Sequence, residues 1–348
     1  MKVLVTGGLG YIGSHTVTEL CRNGIDSVVL DCVNDWQEKL VKLERACDAP
    51  VRYVHCNLLD IYSLRSVFRQ YQFDAVIHFA GLKAVGESVK EPLKYYEHNL
   101  GMTINLLKVM DEMNVKKLIF SSSATVYGNN SKPPIRETEP TSVLNPYGRT
   151  KLMIEEMLED LYGADSTWRI GVLRYFNPVG AHESGLIGEN PQGTPNNLMP
   201  FLTQVASGER SELSIFGGDY ETKDGTGVRD FIHIMDLADG HVKMLSYLTN
   251  HAGKHTFNLG TGKGYSVLDM VTIFEQVNNV RVPYKVTSRR PGDTAVCYAD
   301  PSKAEKVLNW KAIRGIREMC IDAWRWEKEM KRQKTFFLER LPDFVRSE

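Results

Sequence analysis

Apolar and β-branched residues come in short blocks along the first half of the chain, at 2–6, 27–31, 52–55, 75–79, 117–121 and 170–175. Each block is short enough to be a strand buried on both faces. Between the blocks the apolar positions fall at helical spacing, as at Ile12, Val17, Leu20 and Cys21, and over the long stretches 91–113 and 148–162. Strand and helix alternating in this way predict an α/β fold with a doubly wound parallel sheet, because parallel strands need crossovers and right-handed crossovers place helices on both faces. After Asn177 the rhythm breaks, where Pro178, Gly180, Gly185, Gly188, Pro191, Gly193, Pro195 and Pro200 crowd together. We expect a boundary there, with residues 1–177 forming one domain and 178–348 a smaller α/β domain. The second part carries helical patterns at 197–207, 235–248, 266–277 and 316–329 and short strands at 256–259 and 282–286. The run Phe257-Asn258-Leu259 is apolar enough for the large sheet, so a segment near 229–262 is expected to return to the first domain.

Composition narrows the function classes. The 348 residues hold 42 Lys+Arg against 43 Asp+Glu, a net charge of −1 with no long run of either sign, which excludes the electrostatic footprint of a nucleic-acid binder. Nowhere do about 18 apolar residues follow one another, so no membrane partner is expected. The six cysteines are too sparse for a disulfide framework and form no C-x-x-C pair, and Met1 leads straight into a strand-like run. Both features set the expectation of a cytoplasmic protein with reduced thiols. No histidine or cysteine spacing supports a metal site.

The first predicted strand runs into Gly7, Gly8, Gly10, Tyr11, Ile12 and Gly13, a G-x-G-x-x-G at a strand-to-helix handover. Glycines let the backbone turn tightly and approach a pyrophosphate, and the helix start offers free N–H groups and the positive end of its dipole. Alone the motif is weak. Asp31 strengthens it by closing the second strand about 20 residues on, where a carboxylate accepts from ribose hydroxyls. With Cys32, Val33 and Asn34 following and no arginine to receive a 2′-phosphate, the expected cofactor is NAD on a Rossmann-type sheet.

Among 15 tyrosines, Tyr147 is the one with a lysine four residues on, Lys151, just after Pro146 marks a helix start. That spacing puts phenol and ammonium on one helix face. A cation beside a phenol favours the phenolate and is expected to lower its pKa, so Tyr147 can take a proton from an alcohol. Ser123, at the C-terminal end of a predicted strand, is placed to hydrogen-bond the same substrate oxygen. His78, at another strand end, reads as structural.

Together these residues resemble the extended short-chain dehydrogenase/reductase family, and within it the UDP-glucose 4-epimerase group. The likeness is carried by long stretches: HFAGLKAVGES at 78–88, FSSSATVYG at 120–128, LRYFNPVGAH at 173–182, PNNLMP at 195–200 and DGTGVRDFIH at 224–233. The resemblance implies that NAD is held by the glycine turn, Asp31, Asn57, Leu58, Phe79, Ala80, Gly81, Lys83, Tyr147, Lys151 and Tyr175. It implies that a UDP-hexose is held by Lys83, Ser123, Tyr147, Phe176, Asn177, Asn197, Leu198, Phe216, Arg229, Arg290, Asp293 and Cys297. Tyr147 and Ser123 then act at the sugar 4-hydroxyl, Lys151 supports them, and the product is the C4 epimer formed through a transient 4-keto sugar. A homodimer pairing the helices at 91–113 and 148–162 is implied as well.

Three positions depart from the family pattern. Asn57-Leu58 stands for Asp-Ile near the adenine, the segment after Asp31 lacks the usual asparagines, and Gly101 is shifted by one place. Cys297 is small where some members carry tyrosine, which implies room for N-acetylated UDP-hexoses. Two other functions compete. A nucleotide-sugar dehydratase or decarboxylase of this fold needs an acid and a base after the serine, where this chain has Ala124 and Thr125; a dinucleotide-sensing protein without turnover would not need Ser123, Tyr147 and Lys151 intact.

Overall fold

The computed structural model describes residues 1–129, 132–191, 193–290 and 293–339, with side chains through residue 333. Its centre is a seven-stranded, all-parallel sheet in the order β10-β6-β5-β4-β1-β2-β3. In chain order the elements are β1 (Lys2–Thr6), α1 (Tyr11–Arg22), β2 (Asp26–Asp31), α2 (Trp36–Cys47), β3 (Arg52–His55), α3 (Ile61–Tyr71), β4 (Ala75–His78), α4 (Val85–Lys90), α5 (Pro92–Tyr95), α6 (Gly101–Glu112), β5 (Lys117–Ser123), α7 (Pro146–Ala164) and β6 (Arg169–Tyr175). They continue with β7 (Asn177–Val179), α8 (Leu198–Ala206), β8 (Leu213–Phe216), β9 (Val228–His233), α9 (Ile234–Asn250), β10 (Gly253–Leu259), β11 (Gly264–Ser266), α10 (Val267–Asn278), β12 (Tyr284–Thr287), β13 (Val296–Cys297), α11 (Ser302–Leu308) and α12 (Ile316–Glu339).

The period of two along each strand splits the core into two layers. In β1, Val3 and Val5 join the face covered by α1, α2 and α9, whereas Leu4 joins the opposite face covered by α3, α6 and α7. Strand β10 pairs with β6 along its full length and forms one edge of the large sheet. The return from the second half is therefore narrower than the expected 229–262. Strand β9, with Arg229, instead centres a small sheet with β7, β11 and β13; α9 and β10 rejoin the large one, and α11 later packs beside them.

Three expectations shift in detail. The helix expected over 91–113 is broken by a π-helical turn at Tyr96–Leu100, next to which the Asn99 amide is drawn to Leu82 and Thr150. Strand β5 runs two residues past Ser121, since the hydroxyls of Ser121 and Ser122 find buried partners in His241 and Glu155. The strand expected at 282–286 is β12 at Tyr284–Thr287, preceded by Pro283, whose carbonyl accepts from Leu213 at 2.8 Å.

Three buried imidazoles brace the large sheet. His78 bridges Thr6 (2.7 Å) and Thr103 (3.0 Å), His15 meets the Tyr11 carbonyl (2.6 Å), and His241 joins Ser121 (3.2 Å) to the Leu237 carbonyl (2.9 Å). Burial pushes His78 and His15 down to about 3 and His241 to about 4. Each is neutral in the fold, whereas the unfolded chain takes up a proton below about pH 6.5, so their stabilisation is complete above that pH and drains as pH falls toward 4 to 3. Each such group steepens the pH dependence of stability by up to about 1.4 kcal/mol per pH unit in that window. Urea unfolding of His78→Asn is expected to show a shallower loss of stability between about pH 6.5 and 4.5 than the parent; an unchanged slope contradicts the neutral-imidazole assignment.

Candidate active site at the sheet edge

All strands of a parallel sheet end on one edge, and the residues singled out in the sequence gather there. Beyond β1, Gly7 takes a φ of +68°, and a Cβ on it would lie 2.7 Å from the Ala80 nitrogen after β4. A Cβ on Gly13 would lie 2.3 Å from the Gly7 carbonyl oxygen. Side chains at either place would force apart the turn and helix α1. Gly10 precedes α1 in extended conformation, no side chain caps the helix, and its first turn carries no carboxylate. The opening N–H groups of α1 thus point at a close, uncharged backbone cradle, which fits the pyrophosphate of a dinucleotide.

Asp31 ends β2 beside this turn, its carboxylate accepting from the Leu9 (3.0 Å) and Cys32 (2.8 Å) N–H groups. Burial raises its pKa and those two N–H groups act against the rise. The same aspartate is held from behind, since the Tyr53 hydroxyl donates to its carbonyl (3.2 Å) and Tyr53 stacks on Trp36 at 4.9 Å. Leu58 is buried, but Asn57 is exposed and its side-chain oxygen accepts from Leu59 N–H at 3.0 Å. The adenine contact expected of that oxygen has to be shared with the turn into α3. Phe79 lies 4.7 Å from the His241 ring, the backbone of Phe79 and Ala80 makes the close approach to the glycine turn, and a Cβ on Gly81 would lie 3.2 Å from the Asn99 side-chain oxygen.

Ser123 is the last residue of β5, paired in register with Tyr175 of β6. Asn145 caps α7 by accepting from Gly148 N–H (2.8 Å), and Pro146 opens the helix, so Tyr147 and Lys151 stand one turn apart facing β5. The Ser123 hydroxyl accepts from Thr125 through its N–H (3.2 Å) and hydroxyl (3.0 Å), and it is near enough to the Tyr147 phenol to act on its pKa. Lys151 donates to the Ser121 carbonyl at 2.8 Å and lies 5.9 Å from the Tyr147 ring centre. In one respect the expectation is corrected. Burial pushes the phenol up to about 12, opposed by the neighbouring Ser123 hydroxyl, and pushes Lys151 down to about 8, opposed by Glu155. Desolvation outweighs the lysine's pull because the ammonium is itself desolvated and turned onto a carbonyl. Tyr175 is likewise raised by burial.

A buried network that sequence reasoning missed stands behind this pair. Glu155, one turn past Lys151, is held by Arg174 of β6 in a forked contact (3.0, 3.1 and 2.5 Å) and by the Ser122 hydroxyl. Arg174 also reaches the Tyr127 hydroxyl (3.1 Å), which donates to Asn258 of β10 at 2.6 Å. The signal was available: a carboxylate four residues after Lys151, and an arginine inside an apolar strand, each demand a buried partner.

The residues expected to hold the UDP-sugar come largely together. Asp293 lies between Arg290 (3.1 Å) and Arg229 (4.0 Å), and the Arg290 guanidinium covers the Phe216 ring at 4.6 Å. Cys297 of β13 pairs in register with Arg229; burial pushes its thiol up to about 11, with Arg229 acting the other way. Cys297 and Phe176 also belong to one apolar cluster with Ala124, next to Ser123, which joins these residues to the tyrosine side of the edge. Asn177 is exposed at the start of β7, and Asn197 and Leu198 open α8. Asn197 and Lys83 both donate to a residue not singled out beforehand, Glu189, at 2.6 and 2.9 Å.

The Gly260-Thr-Gly262 turn, which superficially resembles a phosphate loop, has its amides occupied. Thr261 (2.9 Å), Gly262 (3.0 Å) and Ala299 (3.1 Å) donate to the buried carboxylate of Asp230, which ties β9 to the strand entering from Cys297. Among the described residues no cluster of three His, Cys, Asp or Glu side chains is placed to hold a metal, and no helix is long and apolar enough to cross a membrane.

Residues 3–260 match the model of the NAD dependent epimerase/dehydratase family. The chain is 55% identical over 328 residues to UDP-glucose 4-epimerase of Bacillus subtilis, covering 94% of this chain and 97% of that one. Among solved structures it is similar to UDP-glucose-4-epimerase of Stenotrophomonas maltophila with bound NAD and formylated UDP-arabinopyranose, at 47% identity and a TM-score of 0.94 over 96% and 99% of the two chains. The enzyme of Bifidobacterium longum in complex with NAD+ and UDP is 48% identical with a TM-score of 0.91 over 94% and 98%.

Proposed function

This chain belongs to the NAD dependent epimerase/dehydratase family, and on that premise we propose that it interconverts UDP-galactose and UDP-glucose by NAD-dependent epimerisation at C4. The observation that carries the reading is the placement of Ser123 at the end of β5 with Tyr147 and Lys151 one turn apart on α7, Lys151 donating to the Ser121 carbonyl, at the sheet edge that also holds the glycine cradle. The cradle, Asp31 and the Phe79–Lys83 stretch would hold NAD, which when bound supplies reversible hydride acceptance at C4 and a positively charged ring. Tyr147 takes the proton from O4 and later returns it, and Ser123 hydrogen-bonds the same sugar oxygen while the phenol works. Lys151 contributes cationic charge one helical turn below. Arg229 and Arg290 present forked donors that suit a diphosphate, while Asp293 keeps them from drifting apart. A sugar anchored through its diphosphate can present either face of a 4-keto intermediate to the same ring, so the reaction has no net redox change and the cofactor need not leave.

Cys297 leaves more room than tyrosine beside the sugar, and we extend the activity to UDP-N-acetylglucosamine and UDP-N-acetylgalactosamine. Residues 1–177 with α9 and β10 serve the dinucleotide, and the remainder serves the UDP-sugar. A homodimer through the helices at 91–113 and 148–162 is supported by apolar side chains left in water on the first of these, with Leu93 80% and Ile104 38% exposed. Six free thiols suit a cytoplasmic setting, which cell fractionation checks.

Purified protein given UDP-galactose without added cofactor is expected to yield UDP-glucose. Tyr147→Phe is expected to lose about 10²- to 10⁴-fold in turnover while still carrying NAD, and full activity in that variant removes the proton-transfer role. Cys297→Tyr should cut turnover of the N-acetylated pair at least about tenfold against the plain pair; equal loss on both excludes a selective role. Leu93→Asp is expected to elute as a monomer in light-scattering chromatography, and a persisting dimer places the interface elsewhere.

A further inference from the structure

Glu189 sits where the two halves of the site meet. Its carboxylate is 9% exposed, and one oxygen accepts from both Lys83 Nζ (2.9 Å) and Asn197 Nδ2 (2.6 Å). Lys83 leaves the large sheet after β4, whereas Asn197 precedes α8 on the opposite side of the cleft. The backbone of Glu189 is fixed by Trp326, whose indole N–H donates to its carbonyl at 3.1 Å, and Glu189, Trp326 and Tyr11 line one small cavity. Lys83 also lies 5.9 Å from the Tyr11 ring centre, while the Tyr11 hydroxyl donates to the Gly180 carbonyl at 2.7 Å. The ammonium thus stands between an aromatic face and a carboxylate, with 62% of its side chain open to water.

A buried carboxylate held from behind cannot follow a mobile lysine outward, whereas the exposed lysine can turn to another anion. We propose that Glu189 is a built-in counter-anion that competes with the diphosphate of the UDP-sugar for Lys83 and Asn197, and so limits how tightly the nucleotide is held. The proposal rests on the function assigned above and deepens it. Paired with Glu189, Lys83 presents almost no net charge to an incoming diphosphate; without the carboxylate it presents a full positive charge. The Asn197 amide is released by the same exchange. For an enzyme that must release a product of the same charge and nearly the same shape as its substrate, such competition raises KM and speeds dissociation.

The test is calorimetric titration of UDP into the NAD-containing protein. Glu189→Gln keeps a carbonyl oxygen for Asn197 and removes the charge. It is expected to bind UDP about three- to tenfold more tightly at low ionic strength, with the gain shrinking in high salt. In steady state the variant should show a lowered KM for UDP-galactose with a lowered kcat, as product leaves more slowly. Lys83→Met is expected to abolish the difference between Glu and Gln at 189. Equal or weaker UDP binding by Glu189→Gln overturns the proposal, as does a gain that persists alongside Lys83→Met or a change confined to NAD retention. Should Glu189→Gln fail to fold, Glu189→Asp, which withdraws the charge by one methylene, is expected to move affinity in the same direction, and no change there also overturns it. Failure of the unsubstituted protein to bind UDP would instead count against the assigned function.

Discussion

Removing Tyr147 and Lys151 from water together is the constraint on which the rest of the site depends. Each side chain is disfavoured in its charged form by the same burial, the phenol being raised and the ammonium lowered, yet the proposed proton transfer requires a phenolate beside an ammonium. The surrounding residues are arranged to offset that cost. The Ser123 hydroxyl, fixed by Thr125, lies on the phenol side, the Ser121 carbonyl accepts from the ammonium, and Glu155 adds negative charge one turn away. Glu155 would itself be a costly buried charge without the forked guanidinium of Arg174. The chain of compensation therefore runs from the Tyr147 phenol through α7 to β6, and on through Tyr127 to β10.

This ordering explains which parts of the molecule were legible beforehand. Strand blocks such as 2–6 and helical spacing in α1 report directly on burial, because the alternation of Val3, Leu4 and Val5 is the division between the two core layers. The glycine turn and the Tyr147–Lys151 spacing are local motifs whose chemistry follows from a few adjacent residues. Glu155, Arg174, Asp230 and Glu189 were not legible in the same way, since their meaning lies in partners 8 to 106 positions distant. The sign of the Tyr147 shift was misjudged for the same reason: spacing shows that a lysine is near, but only packing shows how thoroughly both groups are dried. The last residues of β5 lie beyond the apolar block at 117–121 because serine hydroxyls give no apolar signal until their buried partners are known.

The opposite half of the site is organised by carboxylates that already have work inside the protein. Asp230 uses up the amides of the 260–262 turn and locks β9 to the residues beyond β13, which holds Arg229 and Cys297 in register. Asp293 similarly spaces two guanidiniums whose mutual repulsion would otherwise splay them. The acidic residues here act as scaffolding for cations, and the charge pattern near zero overall conceals a locally basic lining.

The route of the backbone has a mechanical consequence. The chain leaves the large sheet after β6, builds β7, α8, β8 and β9, returns through α9 to add β10 on the sheet's rim, departs toward β11, comes back as α11 against β10 and α9, and leaves a last time into α12. Five covalent crossings therefore join the two sides of the cleft, unlike the single linker of a freely swinging hinge. Relative rotation that would be cheap about one strap must here twist five at once, so the cleft is better suited to admitting ligands by side-chain rearrangement than by wide opening. A single proteolytic cut between the sides would leave them tethered, and a fragment ending at residue 177 would expose the unpaired rim of β6 as a sticky template for other chains.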